Sequence, residues 1–526
     1  LSVPNCLHAV VLGTLAGLTG AASAFAGDLP AFKAAPAEPV HLCDAFGAGF
    51  FYIPGTDTCL KPGGLVMGEM RGFSPSYNIV GIPFYGQGIP HSGAGFIPRF
   101  GQYTNWRTRD ALHFNALGRF EFDTRTATPY GTLRSFFRID SYWGSGGNSA
   151  AGNLGSIADN TTAQPRLTRE STIVNKAFVQ FAGFTMGRAQ SFFDFYVDAY
   201  NFAALRGSNA TTGLVAYTGV LGRGFSATLS IEDSAARRAA ILSTLAGTTG
   251  QPLSINSISA VSFQGTPGGS RYPDVVANLR LDQPWGSMQV SSAAHPIRAS
   301  LYTAGALAGD PTAYAFPVLT STSYGFAVQG GLQINLEALS PSDKLWLQAA
   351  YEKGAYSYIA GNNLAFIYAP VNANRLQGAS FAALDYALGW VPQINADCVW
   401  TGSLHCEQQW GFDVTGAFRH HWTPNLASSL VGSYQQSNYS ANALAGYGGA
   451  VGVSNLKELR VGTNLIWIPV RGFMIGAEFM YLNLNQTRPY GLAPDYGPNS
   501  LSAAGLPTFQ ANQSEYEGRL RIIRAF

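Results

Sequence analysis

From residue 112 to residue 125 apolar and polar positions alternate. Leu112, Phe114, Ala116, Gly118, Phe120 and Phe122 fall on one face, and His113, Asn115, Arg119, Glu121, Asp123 and Arg125 on the other. Period two is the mark of a β-strand with two unlike surroundings. After the turn Thr128-Pro129-Tyr130-Gly131 it resumes, with Leu133, Phe137, Ile139 and Trp143 opposing Arg134, Arg138 and Asp140. Near the end of the chain Leu459, Val461, Leu465 and Trp467 oppose Glu458, Arg460 and Asn464, and Phe473, Ile475, Ala477, Phe479 and Tyr481 oppose Met474 and Glu478. The pattern predicts about sixteen strands, starting near Gly64, Arg109, Thr132, Thr172, Phe184, Thr212, Gly224, Arg271, Trp285, Thr322, Lys344, Gln408, Asn425, Asn455, Gly472 and Asn512. Tight turns and long polar loops alternate between them. An even count with all short turns on one side predicts an all-β fold, a transmembrane antiparallel β-barrel.

A soluble sandwich also alternates, but two features favour the membrane. Fixed charges sit deep within long strands, which suits a wet lumen. Aromatics gather at strand ends (Trp143, Trp410, Trp422, Trp467, Tyr481), as an interfacial belt requires. The last strand alternates Tyr516, Leu520, Ile522 and Phe526 with Glu515, Glu517, Arg519 and Arg521, and Arg524 interrupts the apolar row near its end. A terminal aromatic on such a strand resembles the signal read by the outer-membrane barrel-assembly machinery, which marks Phe526 as the assembly signal. Leu301 to Pro317 and Ala379 to Trp390 are apolar stretches that this pattern does not place.

Composition agrees. Charged residues are 12% and aromatics 13%, with 61 Gly, while mean hydropathy is only +0.05 because the two kinds of residue are interleaved. No apolar run of about 20 residues follows the N-terminus, so a helical membrane protein is excluded. A formal net charge of +2 without basic runs gives no reason to expect nucleic acid. Residues 1–26 read as a signal peptide, removed after export, with Ala24-Phe25-Ala26 as a small-x-small cleavage site and no positive n-region. Residues 27–62 read as an N-terminal segment on the periplasmic side, and 63–526 as the barrel. In an exported chain the sequence-local pairs Cys43 with Cys59 and Cys398 with Cys406 read as disulfides. A metal site from Cys398, His405 and Cys406 lacks a fourth ligand.

The runs CDAFGAGFFYIPGTDTCLKPGG (43–64), FVQFAGFTMGRAQSFFDFY (178–196), WTPNLASSLVGSY (422–434), NLIWIPVRGFMIGAEFMY (464–481) and GRLRIIRAF (518–526) occur in that order across nearly the whole mature chain. Together they resemble the alphaproteobacterial general porin family, departing at Pro62 and Met67 to Met70 and in the outer loops. The resemblance implies a trimeric, sixteen-stranded barrel in the outer membrane that passes small hydrophilic solutes and ions. Residues 191–209 look like the third loop, which folds into the lumen of such porins as a constriction. A passive pore needs no nucleophile or cofactor, only a constriction whose size and charge filter solutes. Asp194 and Asp198, four apart, would share one side of a short helical turn. Arg71, Arg119, Arg134 and Arg138 would face them from the wall. The alternative use of these charges is to pair and hold the loop.

Three rival functions fit the sequence less well. A substrate-specific channel for one solute class would show an aromatic track, and Tyr142, Phe136 and Trp346 are scattered. An outer-membrane enzyme would need a base beside a nucleophile. His420-His421, His295, and His113 near Asp110 offer none, and no GxSxG occurs. An adhesive surface protein would need repeat arrays in its loops.

Overall fold

The computed structural model describes residues 42–73, 112–145, 168–244, 262–304, 315–360, 396–446, 453, 455–487 and 512–526. Its wall has sixteen strands: β1 Thr58–Phe73, β2 Leu112–Thr128, β3 Gly131–Ser145, β4 Thr168–Phe181, β5 Phe184–Gln190, β6 Thr211–Gly222, β7 Phe225–Glu232, β8 Asp274–Gln283, β9 Gly286–Ala304, β10 Ala315–Asn335, β11 Lys344–Lys353, β12 Trp410–Thr423, β13 Leu426–Asn438, β14 Leu456–Val470, β15 Phe473–Gln486 and β16 Asn512–Ala525. Each pairs antiparallel with the next. β16 returns to β1 from Leu65↔Ala525 to Phe73↔Glu517, and the barrel closes. The sixteen expected strands are all present. No helix among the described residues is long and apolar enough to cross a membrane.

The largest shifts from the expected starts have local causes. β1 begins at Thr58 rather than Gly64, so Pro62 and Met67 to Met70 lie within it. The N–H of Gly64 points toward β16 and meets the carbonyl of Phe526 at 3.2 Å. Pro62, two residues earlier, directs its donorless nitrogen to the same side, past the end of β16, where no ladder bond is lost. β10 begins at Ala315 rather than Thr322. Leu301 to Ala304 and Ala315 to Leu319 extend the β9–β10 hairpin across a register shift at Leu301/Tyr302, which places the ends of the first apolar stretch. Residues 379–390 and the signal segment lie outside the described residues.

The turn side is tight. Ala182-Gly183 (φ 50° and 87°) and Arg223-Gly224 (φ 53° and 83°) both keep two residues in the left-handed region. That geometry matches the twist of the flanking strands. On the outer face Phe114, Phe120, Val290, Leu430 and Leu465 are exposed, with Trp143 and Trp410 at loop-side ends and Trp285, Trp422 and Trp467 at turn-side ends. Two aromatic belts therefore bound an apolar band. Arg524 is on this face, and its Nη1 donates to the carbonyl of Arg471 in the adjoining turn at 2.9 Å.

Both disulfides are formed, with Cα–Cα distances of 6.0 Å for Cys43–Cys59 and 5.4 Å for Cys398–Cys406; the second removes the metal reading. The first ties the N-terminal segment to β1. There Phe51 pairs with Leu60, and Phe50 packs beneath Arg125, 4.8 Å from the guanidinium carbon. The second staples a small sheet inside the barrel. In it Ala240–Ser243 runs parallel to Ala396–Trp400, which pairs antiparallel with Cys406–Gln408. Ile241, Cys398 and Trp400 pack on Ile297, Ala299 and Leu301 of the lumen face of β9, forming an apolar cap. Glu407 joins the cap to residues 439–446. Burial raises its pKa, but hydrogen bonds from Ser440, Asn442, Thr401 and Ser403 outweigh that and bring it from 4.5 to about 2.

A Cβ on Gly64 would meet the carbonyl oxygen of Arg119 and come within 2.9 Å of the Phe526 ring. Gly64→Val is therefore expected to spoil closure, reducing the yield of heat-resistant folded barrel on semi-native gels while the chain is still made. The lowered pKa of Glu407 means its contribution is complete above pH 4.5 and is lost as pH falls toward about 2. Protection of the amides of residues 406–408 against hydrogen exchange, taken relative to the intrinsic rate at each pH, should fall across that window; unchanged protection would show that the carboxylate does not hold the cap.

Candidate functional site

The connection between β5 and β6, residues 191–210, is folded into the lumen. It contains no helix: Val197 and Asp198 sit at φ 50° and 52°, so the four-residue spacing of Asp194 and Asp198 does not place them on a helical turn. Asp194 is buried and accepts from Gln190 Nε2 (2.5 Å), the Ala210 N–H (2.6 Å), Arg237 Nη2 (2.9 Å) and the Ser208 hydroxyl. Asp198 accepts from Asn201 Nδ2 (2.7 Å), the Leu205 N–H (3.1 Å) and Asn209 Nδ2 (3.0 Å). Burial raises the Asp198 pKa more than these donors lower it. Gln190 also donates to Asn209, so a side-chain chain links the two acids.

The loop lies along the lumen face of the later strands, and side chains of successive strands satisfy its backbone. Asn278 of β8 donates to the carbonyl of Phe192 (2.6 Å), Gln329 of β10 to that of Phe193 (2.8 Å), and Gln348 of β11 accepts from the Tyr196 N–H (3.1 Å). Glu478 of β15 takes the N–H groups of Phe202 (2.7 Å) and Ala203 (2.5 Å). Arg519 of β16 donates to the carbonyl of Phe202 (3.0 Å), and Arg460 of β14 to that of Ala204 (2.6 Å). Arg206 anchors the returning limb, its Nε 2.9 Å from Glu458. Burial alone would lower its pKa, but the Glu458 charge raises it. Rings add to the clamp: Phe195 and Tyr196 stand 5.1 and 5.7 Å from Trp346, and Phe193 stands 4.7 Å from Tyr358.

The wall arginines divide. Arg119 and Arg138 both reach Asp140, with Nε at 2.7 and 3.2 Å. Arg134 reaches Asp123 (2.9 Å), which also takes Arg125 (2.9 Å). Arg71 stands apart, buried at the β1–β16 seam and 3.1 Å from Glu517. Lys176, absent from the sequence-derived group, lies within electrostatic range of Arg119, Glu121 and Asp140 on the wall and of Asp194 on the loop. A register shift between Arg138 and Ile139 hid it. Val174 faces out, Asn175 and Lys176 both leave the outer face, and Val179 resumes it, so strict alternation assigns Lys176 to the wrong side. Arg206, Arg237 and Glu458 were missed as partners because their contacts span distant loops and strands.

Residues 29–505 match a family model described as the Porin subfamily. The chain belongs to that family. Porin Omp2a of Brucella ovis is 29% identical over 232 residues, 43% of this chain and 59% of that porin. Porin Omp2b of Brucella suis is 26% identical over 287 residues, 54% of this chain and 64% of that porin. The matches thus span less than two thirds of either porin. Among solved structures the outer-membrane channel DcaP of Acinetobacter baumannii shares the fold, with a TM-score of 0.50 at 14% identity, covering 90% of this chain and 99% of that one. Family and closed barrel together make this a multi-pass protein of the bacterial outer membrane.

Glu478 alone holds two backbone donors, and removing it leaves buried N–H groups unpaired at about 1–3 kcal/mol each. Glu478→Ala is expected to leave the barrel heat-resistant while making residues 196–206 cleavable by added protease. Continued resistance to the protease would show that the remaining contacts hold the loop unaided.

Proposed function

We propose that this porin-family member is a passive channel for small hydrophilic solutes and ions, narrowed by residues 191–210 and filtering by size and charge. The observation that carries the reading is the loop itself, clamped inside the lumen by side chains from β8, β10, β11, β14, β15 and β16. In this reading Asp194 and Asp198 shape the constriction, Arg119, Arg134 and Arg138 line its water side, and Arg71 holds the seam behind it. Of the candidate bases, the side chain of His113 lies outside the described residues and the others are held by carboxylates. Buried His295 lies between Asp274 (2.9 Å) and Asp397 (3.5 Å), and His420 and His421 share Asp343, so each is bound to a carboxylate rather than placed beside a nucleophile. Family membership and the apolar outer face support assembly as a homotrimer in lipid, with Phe526 as the signal to the assembly machinery. One feature favours a substrate-specific channel as a second reading: the disulfide-stapled cap packed on β9, which fills part of the lumen.

Planar-bilayer recordings of refolded protein, with sugars of rising size as blockers, test the proposal. Large ohmic steps in multiples of three with a size cutoff and no saturation are expected. Small saturable steps blocked by one solute class would move the assignment to the specific channel. Silence from a heat-resistant barrel would end the channel reading.

A further inference from the structure

The loop and cap cover one side of the lumen and leave the other to water. On β9 to β14 the inward polar side chains Gln289, Gln329, Gln348, Thr415, Ser433 and Asn464 are all buried. On β2 to β4 the inward Arg119, Glu121, Asp123, Arg125, Arg134, Arg138 and Lys176 keep partial exposure. These three strands therefore carry seven charged side chains open to a solute, and β8 adds one exposed pair at its turn-side end, Arg280 with Asp282.

Its charges are arranged as two forks, each with one carboxylate between two guanidinium groups. Asp140 holds Arg119 and Arg138, and also accepts from Asn175 (2.8 Å) and Tyr142 (3.3 Å). Asp123 holds Arg125 and Arg134. The acids sit beneath and the bases above: the side chains of Asp140 and Asp123 are 0% and 13% exposed, against 20% and 17% for Arg119 and Arg138, and 30% and 29% for Arg125 and Arg134. Arg119, Arg125 and Arg138 each bind their acid through Nε and Nη2, leaving Nη1 without a partner among the described residues. Arg134 is further fixed over the stacked rings of Phe136 and Phe178, at 5.3 and 5.5 Å. Each fork carries one more base than acid, and Lys176 adds another base beside Glu121.

On the opposite side the exposed carboxylate of Asp282 on β8 is neutralised by Arg280 at 2.9 Å. Asp194 is buried against Arg237, Asp413 is buried and accepts from the Thr415 hydroxyl (3.4 Å), and Glu69, Glu458, Glu478 and Glu517 are paired with Arg71, Arg206, Arg460, Arg519 and Arg521 or spent on loop N–H groups. Building on the channel reading above, we infer that the permeation path runs along β2–β4 and selects anions, with the Nη1 ends of the two forks as stepping sites for small carboxylates and phosphates. An anion passing there exchanges hydration for guanidinium donors, and buried acids hold those donors in place without opposing them.

The test is the reversal potential of refolded protein in a potassium chloride gradient, repeated with inorganic phosphate as the anion. The wild type is expected to favour the anion in both salts. Arg134→Gln with Arg138→Gln removes one base from each fork and is expected to lower the chloride-to-potassium permeability ratio by about threefold or more. Glu121→Gln removes an exposed acid from the same face and is expected to raise it. Opposite signs from two neutral-amide variants cannot come from a general loss of structure. A cation-favouring wild type, or two variants that shift the ratio together or not at all, would overturn the inference while the conductance itself upholds the channel. Absence of conductance in every variant and the wild type would overturn the channel reading beneath it.

Discussion

Hydrocarbon offers no hydrogen bonds, so each N–H and C=O of a membrane-facing strand must find its partner within the protein. That constraint closes the sheet. β16 ends against β1, where Gly64 and Phe526 exchange both their N–H···O bonds, at 3.1 and 3.2 Å. The same constraint applies again inside the barrel. Residues 191–210 bring some twenty backbone units into the lumen without regular structure of their own, and the wall must supply the partners that water or a ladder would have given.

The polar face of the wall therefore does two jobs, divided by location. From β8 to β16 its amides and charges are a bed for the loop. Buried ion pairs bring little net stability because both charges are desolvated. Here they also hydrogen-bond the loop: Arg460, Arg519 and Glu478 each touch its backbone. Their main effect is to fix where the loop lies. From β2 to β4 the same kinds of residue remain wet and form the forks, where guanidinium groups rather than carboxylates meet the lumen. In the proposed anion path, charge preference thus follows from which side the loop covers.

The wall was largely legible. Period-two alternation, the turn residues and the even count follow from a surface that is lipid on one side and polar on the other, and each of those signals is local. Lys176 escaped because one bulge reverses parity for the rest of its strand. The pairing within the site escaped for a different reason. Arg206 meets Glu458 and Arg237 meets Asp194 across the lumen, and nothing near any of these residues in the chain announces its partner.

By itself the sequence determined a sixteen-stranded outer-membrane barrel, both disulfides and the inward charges of every strand without a bulge, because strand period and the pairing of neighbouring cysteines are local signals. Tertiary structure decided what those charges do. Asp194 and Asp198 became internal braces rather than one pole of a field, Arg71 went to the seam, and β2–β4 kept their bases facing water. These outcomes depend on the path of one loop across the lumen, and that path is set by contacts between residues far apart in the chain.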